Sequence, residues 1–181
     1  MPEIIKEIIV AADLDSTWAL VSDMERFSLC IPGCKSVKVV NDTEFDWELE
    51  TKVLRTTRKA KARTRTLEMR PPTHAEFVGE GRLFERSNHY RLTITGTTDL
   101  EPMEHERTRI RFAGVVKASG VGGAIVEKVA SGQMDELFGE FEANIKRTLE
   151  GPVDTEAEPA AGTAGQGTEK KGRIGSWLGL S

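Results

Sequence analysis

The stretch from Ser119 to Glu150 constrains this chain most, because it carries one unbroken helical period. Met134, Leu137, Phe138, Phe141, Ile145 and Leu149 recur at steps of three and four and fall on one stripe of a helix. Glu127, Lys128, Asp135, Glu136, Glu140, Glu142, Lys146 and Arg147 take much of the remaining surface. The run opens after Gly120-Val121-Gly122-Gly123 and stops at Gly151-Pro152, a C-terminal stop signal. Fully helical, it would reach about 40 Å at a rise of about 1.5 Å per residue. A helix that long with a single apolar stripe needs a broad apolar partner. The chain before it supplies mostly strands, so the natural partner is a curved sheet.

Glu3–Ala12 is rich in Ile and Val and reads as a strand. Asp13 to Ser16 offers N-caps, and Trp18, Leu20, Val21 and Met24 follow at helical spacing. Glu25–Cys30 reads as a second short helix, broken by Ile31-Pro32-Gly33-Cys34. Six strands are then expected: Lys35–Val40, Phe45–Val53, Thr57–Leu67, Thr73–Gly81, His89–Glu101 and Arg107–Lys117. Most of them alternate apolar with polar residues, as half-buried antiparallel strands do. The expected class is therefore α+β, with about seven strands, two short helices and one long C-terminal helix.

Two features of the third and fourth strands matter for function. Lys59, Lys61, Arg63 and Arg65 form a basic row on one face. With a turn near Thr56, Glu50 would sit opposite Arg63 and Glu48 opposite Arg65, giving cross-strand ion pairs. Docking of that row on a membrane or a partner is the other reading. The inward face of the same strand is Ala60, Ala62, Thr64 and Thr66, opposite Trp47 and Leu49. Such small residues do not fill a thick layer. Either large helix residues fill it or a cavity remains, and empty apolar space is costly unless a ligand uses it.

Composition narrows the function classes. The net charge of −4 argues against general nucleic-acid binding, which calls for a basic face and a basic total. Two cysteines make no disulfide framework, and three residues separate them, unlike a redox Cys-x-x-Cys pair. With no N-terminal apolar core to serve as a signal peptide, the chain reads as cytoplasmic. No run approaches the roughly 20 apolar residues that span a bilayer. His74, His89 and His105 stand in no motif, and no His/Cys/Asp/Glu group has metal-ligand spacing. Gly120-Val121-Gly122-Gly123 lacks the Lys-Ser/Thr of a phosphate loop. Neither catalytic residues nor a metal site are expected.

Beyond Leu149 the composition turns to Gly, Ala, Thr, Pro and Glu, which cannot bury a core. The expected organisation is a ligand domain over 1–150, a flexible linker over 151–173, and a short terminal peptide over 174–181. Lys170, Lys171 and Arg173 precede Ile174, Trp177, Leu178 and Leu180. A basic cluster beside a Trp/Leu segment reads as a membrane- or partner-contacting peptide.

Taken together, several pieces resemble one family. These are the Trp18 helix, the stretch Cys30-Ile31-Pro32-Gly33-Cys34-Lys35-Ser36-Val37, the strand end Arg70-Pro71-Pro72, Gly79-Glu80-Gly81, and Met134-Asp135-Glu136-Leu137-Phe138. Over roughly residues 3–150 the chain resembles the carbon monoxide dehydrogenase G-subunit family, of the START-like, helix-grip superfamily. The resemblance implies a curved antiparallel sheet around the long helix, with a lipophilic cavity between them. It implies a non-catalytic accessory of a molybdenum-containing carbon monoxide dehydrogenase that binds a lipophilic small molecule, a quinone, and links the enzyme to the inner face of the cytoplasmic membrane. Two departures stand out: Arg82-Leu83-Phe84-Glu85 replaces smaller residues, and the tail is too short to span a bilayer as some relatives' do.

The residues expected to line or close the cavity are Trp47, Leu49, Phe77, Tyr90, Leu92, Ile94, Phe112, Met134, Leu137, Phe138 and Phe141, with Ile31 and Pro32 at its opening. A cyclase- or hydrolase-type enzyme on this fold would need convergent titratable groups inside the cavity. A pure protein–protein adaptor would have a filled core.

Overall fold

In the computed structural model the chain runs β1 (Glu3–Val10), α1 (Leu14–Ser22), α2 (Met24–Ser28), β2 (Cys34–Val39), β3 (Glu44–Val53), β4 (Thr56–Arg70), β5 (His74–Glu85), β6 (Asn88–Met103), β7 (Arg107–Ser119) and α3 (Gly123–Glu150). The structure describes residues 3–53, 56–85, 88–120 and 123–151, and within them leaves aside the side chains of 51–53, 56, 85, 88 and 123–133. The strands form one seven-stranded antiparallel sheet in the order β1-β7-β6-β5-β4-β3-β2. That is the expected order of elements. Among the described residues no helix is long and apolar enough to cross a membrane.

Side-chain caps start both short helices. Asp13 caps α1, accepting from the Ser16 backbone N and from Ser16 Oγ, each at 2.8 Å. These bonds favour the charged form and hold the Asp13 carboxyl below its ordinary range. Asp23 caps α2 through the N–H groups of Glu25 and Arg26. The second helix therefore begins one residue earlier than Glu25 and ends at Ser28 rather than Cys30.

The hairpin register differs from the expected one. Asp46 lies opposite Arg63, Glu48 opposite Lys61 and Glu50 opposite Lys59. The offset is an even number of residues, so the faces keep their identity, because strand side chains alternate with a period of two. The basic row accordingly meets an acidic row: Arg63 bonds Asp46 at 2.6 and 2.8 Å, Lys61 reaches Glu48 at 2.6 Å and Lys59 reaches Glu50 at 3.6 Å. β4 also outlasts the expected Leu67. A bulge between Thr66 and Glu68 breaks the alternation there while pairing with β5 continues to Arg70.

The core sits where α3 and α1 meet the β1–β7–β6 side of the sheet. Ile8, Val10, Leu20, Ile110 and Ile145 are fully buried there, together with Cys30. Its buried polar groups are satisfied locally: Thr108 Oγ1 donates to Ala12 O and Thr17 Oγ1 to Asp13 O, at 2.8 and 2.7 Å. Lys6, an inward residue of β1, bonds Asp135 of α3 at 2.5 Å and lies 5.5 Å from the Phe138 ring centre. This contact holds the Asp135 carboxyl below its ordinary range and ties the helix to the sheet edge.

Candidate functional site

On the β3–β6 side the concave face carries an apolar cavity of about 220 Å³. β3 supplies Phe45, Trp47 and Leu49; β4 supplies Ala62, Thr64, Thr66 and Met69; β5 and β6 add Ala75, Glu76, Phe77, Ile94 and Thr98. The opposite wall is Val21 of α1, Met24 and Phe27 of α2, and Ile31. The space stays open because large residues face small ones across the ladder. Trp47 lies opposite Ala62, and Ala62 opposite Gly81, where a Cβ would come within 2.7 Å of the Lys61 carbonyl oxygen. This volume exceeds the roughly 150 Å³ apolar cavity that stays dry and holds a benzene ring.

Among the described residues, the polar side chains that face the cavity are few and uncharged. Trp47, only 8% exposed, donates from Nε1 to Thr64 Oγ1 at 2.8 Å. Thr64 thus spends an acceptor site and keeps its own proton to donate. Thr66 and Thr98 bring further hydroxyls. Glu76 stands between the inward residues Ala75 and Phe77, and its carboxylate lies on the other face of the sheet, within 4.8 Å of ligating atoms of Glu68 and His74.

Ile31, Trp47, Leu49, Phe77 and Ile94, all expected in the wall, are brought together there. Pro32, Tyr90, Leu92, Phe112, Met134, Leu137, Phe138 and Phe141 are not among the lining residues. Phe112, Phe138 and Phe141 instead stack with Phe27 in a cluster whose ring centres lie 5.3–6.4 Å apart. Tyr90 is buried further along β6, opposite Leu83, and Leu92 lies opposite Gly81. Met134 and Leu137 are half-buried on α3. The reason is placement: the described part of α3 lies against β7, β1 and α1, while Val21, Met24, Phe27 and Ile31 are what faces the β3–β6 residues across the cavity. Phe27 belongs to both the cavity wall and the aromatic cluster and separates the two. Periodicity marks out the small β4 residues, but it carries no sign that Met24 and Phe27 form the roof.

The Ile31-Pro32-Gly33 loop is fixed near the C-terminal end of α3. Asn144 Nδ2 donates to Cys30 O at 3.2 Å, and Gly33, at φ +75°, accepts at its carbonyl from Glu50 N at 2.7 Å. Burial pushes the thiols of both Cys30 and Cys34 above their ordinary range. Cys30 is fully buried, its Sγ 3.6 Å from Thr148 Oγ1. We expect both to react slowly with a maleimide at neutral pH, Cys30 only on unfolding. Cys34→Ser should leave ligand affinity within about twofold; rapid labelling of the folded protein would contradict this thiol placement.

Outside the cavity, tertiary pairing gathers Glu68, His74 and Glu76 across the β4–β5 hairpin, a grouping that linear spacing does not reveal. Two of the three are already engaged: Arg70 reaches Glu68 at 2.8 Å, and His74 Nδ1 lies 2.5 Å from Asp99. His89 packs against the Phe84 ring and His105 sits in the β6–β7 turn, so none of the three histidines lines the cavity. The expected linker and the terminal residues Lys170, Lys171, Arg173, Ile174, Trp177, Leu178 and Leu180 lie outside the described residues.

Known structures share this architecture. A conserved protein from Geobacillus kaustophilus is 20% identical, with a TM-score of 0.71 over 82% of this chain and 95% of its own. A START superfamily protein from Mycobacterium smegmatis is 16% identical, with a TM-score of 0.58 over 81% of this chain and 98% of its own. The di-domain ARO/CYC BexL of the BE-7585A biosynthetic pathway is 17% identical, with a TM-score of 0.56 over 80% of this chain and 46% of its own. At these identities the likeness establishes the fold, which is the START-like helix-grip fold. No curated protein matches the chain. The sequence pattern of CoxG, the G-subunit family of carbon monoxide dehydrogenase, matches residues 7–150. With that match spanning the sheet from within β1 to the end of α3, the chain belongs to the carbon monoxide dehydrogenase G-subunit (CoxG) family.

Proposed function

We propose that this protein is a non-catalytic accessory of a molybdenum-containing carbon monoxide dehydrogenase, binding a quinone in the β3–β6 cavity and linking the enzyme to the membrane. The observation that carries the reading is the cavity itself: an apolar space with hydroxyls at Thr64, Thr66 and Thr98 and no charged side chain directed into it among the described residues. A neutral ring with carbonyl acceptors suits those donors, since pockets of this kind combine apolar walls with a few orienting polar groups. Acid–base chemistry would need a titratable group within hydrogen-bond reach of the ligand. Among the described wall residues the one titratable group, Glu76, turns its carboxylate to the other face beside Glu68 and His74, which favours carriage over the cyclase or hydrolase alternative. The open space disfavours a pure adaptor with a filled core.

The domain over 1–150 holds the ligand, the linker over 151–173 gives reach, and the peptide over 174–181 makes the contact. A coil of about 20 residues has an end-to-end distance of roughly 25 Å, so the peptide searches without dragging the domain. Trp177 suits the headgroup boundary, and Lys170, Lys171 and Arg173 suit an anionic surface. Docking of this peptide on the dehydrogenase is the competing use. Native mass spectrometry of the full-length protein tests the carrier reading: a co-purified quinone is expected, and an empty protein that also refuses added quinone overturns it. Flotation on anionic vesicles, compared with a chain ending at Gly151, tests the tether; equal flotation removes it.

A further inference from the structure

A second apolar hollow of about 170 Å³ lies on the same concave face. Its lining includes Ile4, Phe112, Gly114 and Val116, together with Phe77 and Ile94, which also line the first cavity. The strand register shows how the two are joined. One row across the sheet runs Thr66, Phe77, Gly96, Gly114, Ile4. The next runs Thr64, Gly79, Ile94, Val116. Each row starts in the first cavity and ends in the second, passing through a residue common to both. At about 4.8 Å between strands, the path from Thr66 to Ile4 covers about 19 Å.

The floor beyond Phe77 is bare, because Gly96 and Gly114 carry no side chain. The Phe77 ring fills the first part of that gap: a Cβ on Gly96 would lie 2.5 Å from Phe77 Cζ. Only glycine leaves room for the ring to lie there. Change of χ1 to another staggered well would lift the ring from Gly96 and open the partition. Neither hollow alone reaches the roughly 300 Å³ at which ligand pockets begin, and joined they do.

We propose that the two hollows are the halves of one channel for an apolar ligand bearing a chain, with its ring in the Trp47 half, and that Phe77 sets the chain length the protein accepts. This rests on the lipophilic-ligand reading and specifies the shape of ligand that reading requires.

The test titrates the full-length protein with 1,4-naphthoquinone and its 2-alkyl homologues of increasing chain length, by equilibrium dialysis. In the wild type, affinity should rise about fourfold per buried methylene and then level off where the chain meets Phe77. Phe77→Ala, and the milder Phe77→Leu should the first fold poorly, should move that plateau to longer chains, with at least a tenfold gain for the longest homologue. Val116→Phe, which blocks the far hollow without touching the first, should cancel the gain in the Phe77→Ala background. An unchanged plateau in both Phe77 variants overturns the proposal, as does a gain that survives Val116→Phe. If the wild type binds no homologue, the lipophilic-ligand reading itself fails, an outcome separate from a plateau that does not move.

Discussion

Ile145→Ala should lower the stability of the folded chain by about 3 kcal/mol, within the usual 2–5 kcal/mol for emptying a buried isoleucine site. Ile145 is fully buried, as are Ile8, Val10, Leu20 and Ile110 of the same cluster. It joins three layers at once, since α3 lies against β7, β1 and α1. For a domain of this size the loss corresponds to a fall in Tm of about 10 °C. Met134→Ala on the same stripe is half-buried and should cost about a third as much. Thermal and urea unfolding of both variants checks the pair. Equal losses would mean that depth of burial does not set what these two residues contribute.

Ala62→Leu should abolish quinone binding, by about a hundredfold or more, while leaving Tm unchanged or raised. Ala62 faces the cavity from the strand opposite Trp47, so added methyl groups occupy ligand space. Filling an empty apolar space restores dispersion contacts that its lining lacks, which is why stability need not fall. Trp47→Ala should act on both properties: about 3–5 kcal/mol of stability from the lost ring, and about tenfold or more in affinity from the lost wall and Thr64 contact. Phe138→Ala separates the two effects, because Phe138 packs against Phe141 and the core and lies outside the cavity wall. It should lose stability with affinity intact. Calorimetric titration with 2-decyl-1,4-naphthoquinone alongside thermal unfolding reads both quantities. Undiminished binding by Ala62→Leu would place the ligand elsewhere.

Part of the site is legible in the order of residues. The small residues Ala60, Ala62, Thr64 and Thr66 opposite Trp47 and Leu49 imply an unfilled layer, and all of these but Ala60 stand in the cavity wall. Phe138 and Phe141 carry the same apolar signal as Phe77, yet they serve a different cluster. An apolar stripe states that a face is buried and is silent about what buries it. Likewise, the pairing of Lys6 in β1 with Asp135 and the Phe138 ring of α3 is made only by the fold.

The element order, the faces of the strand residues outside the β4 bulge and the single stripe of α3 are written in the residue pattern. They follow from periods of two and 3.6 residues, which are local properties of the backbone. The meeting of the basic and acidic rows of β3 and β4 is equally secure, because an even slip of register leaves both rows on one face. Which part of the concave sheet α3 covers, and which part falls to α1, α2 and Ile31, is settled only in three dimensions. The same holds for Phe77, which lies over Gly96 between two hollows. Those outcomes depend on where distant segments cross a curved sheet, and a local period carries no information about that crossing.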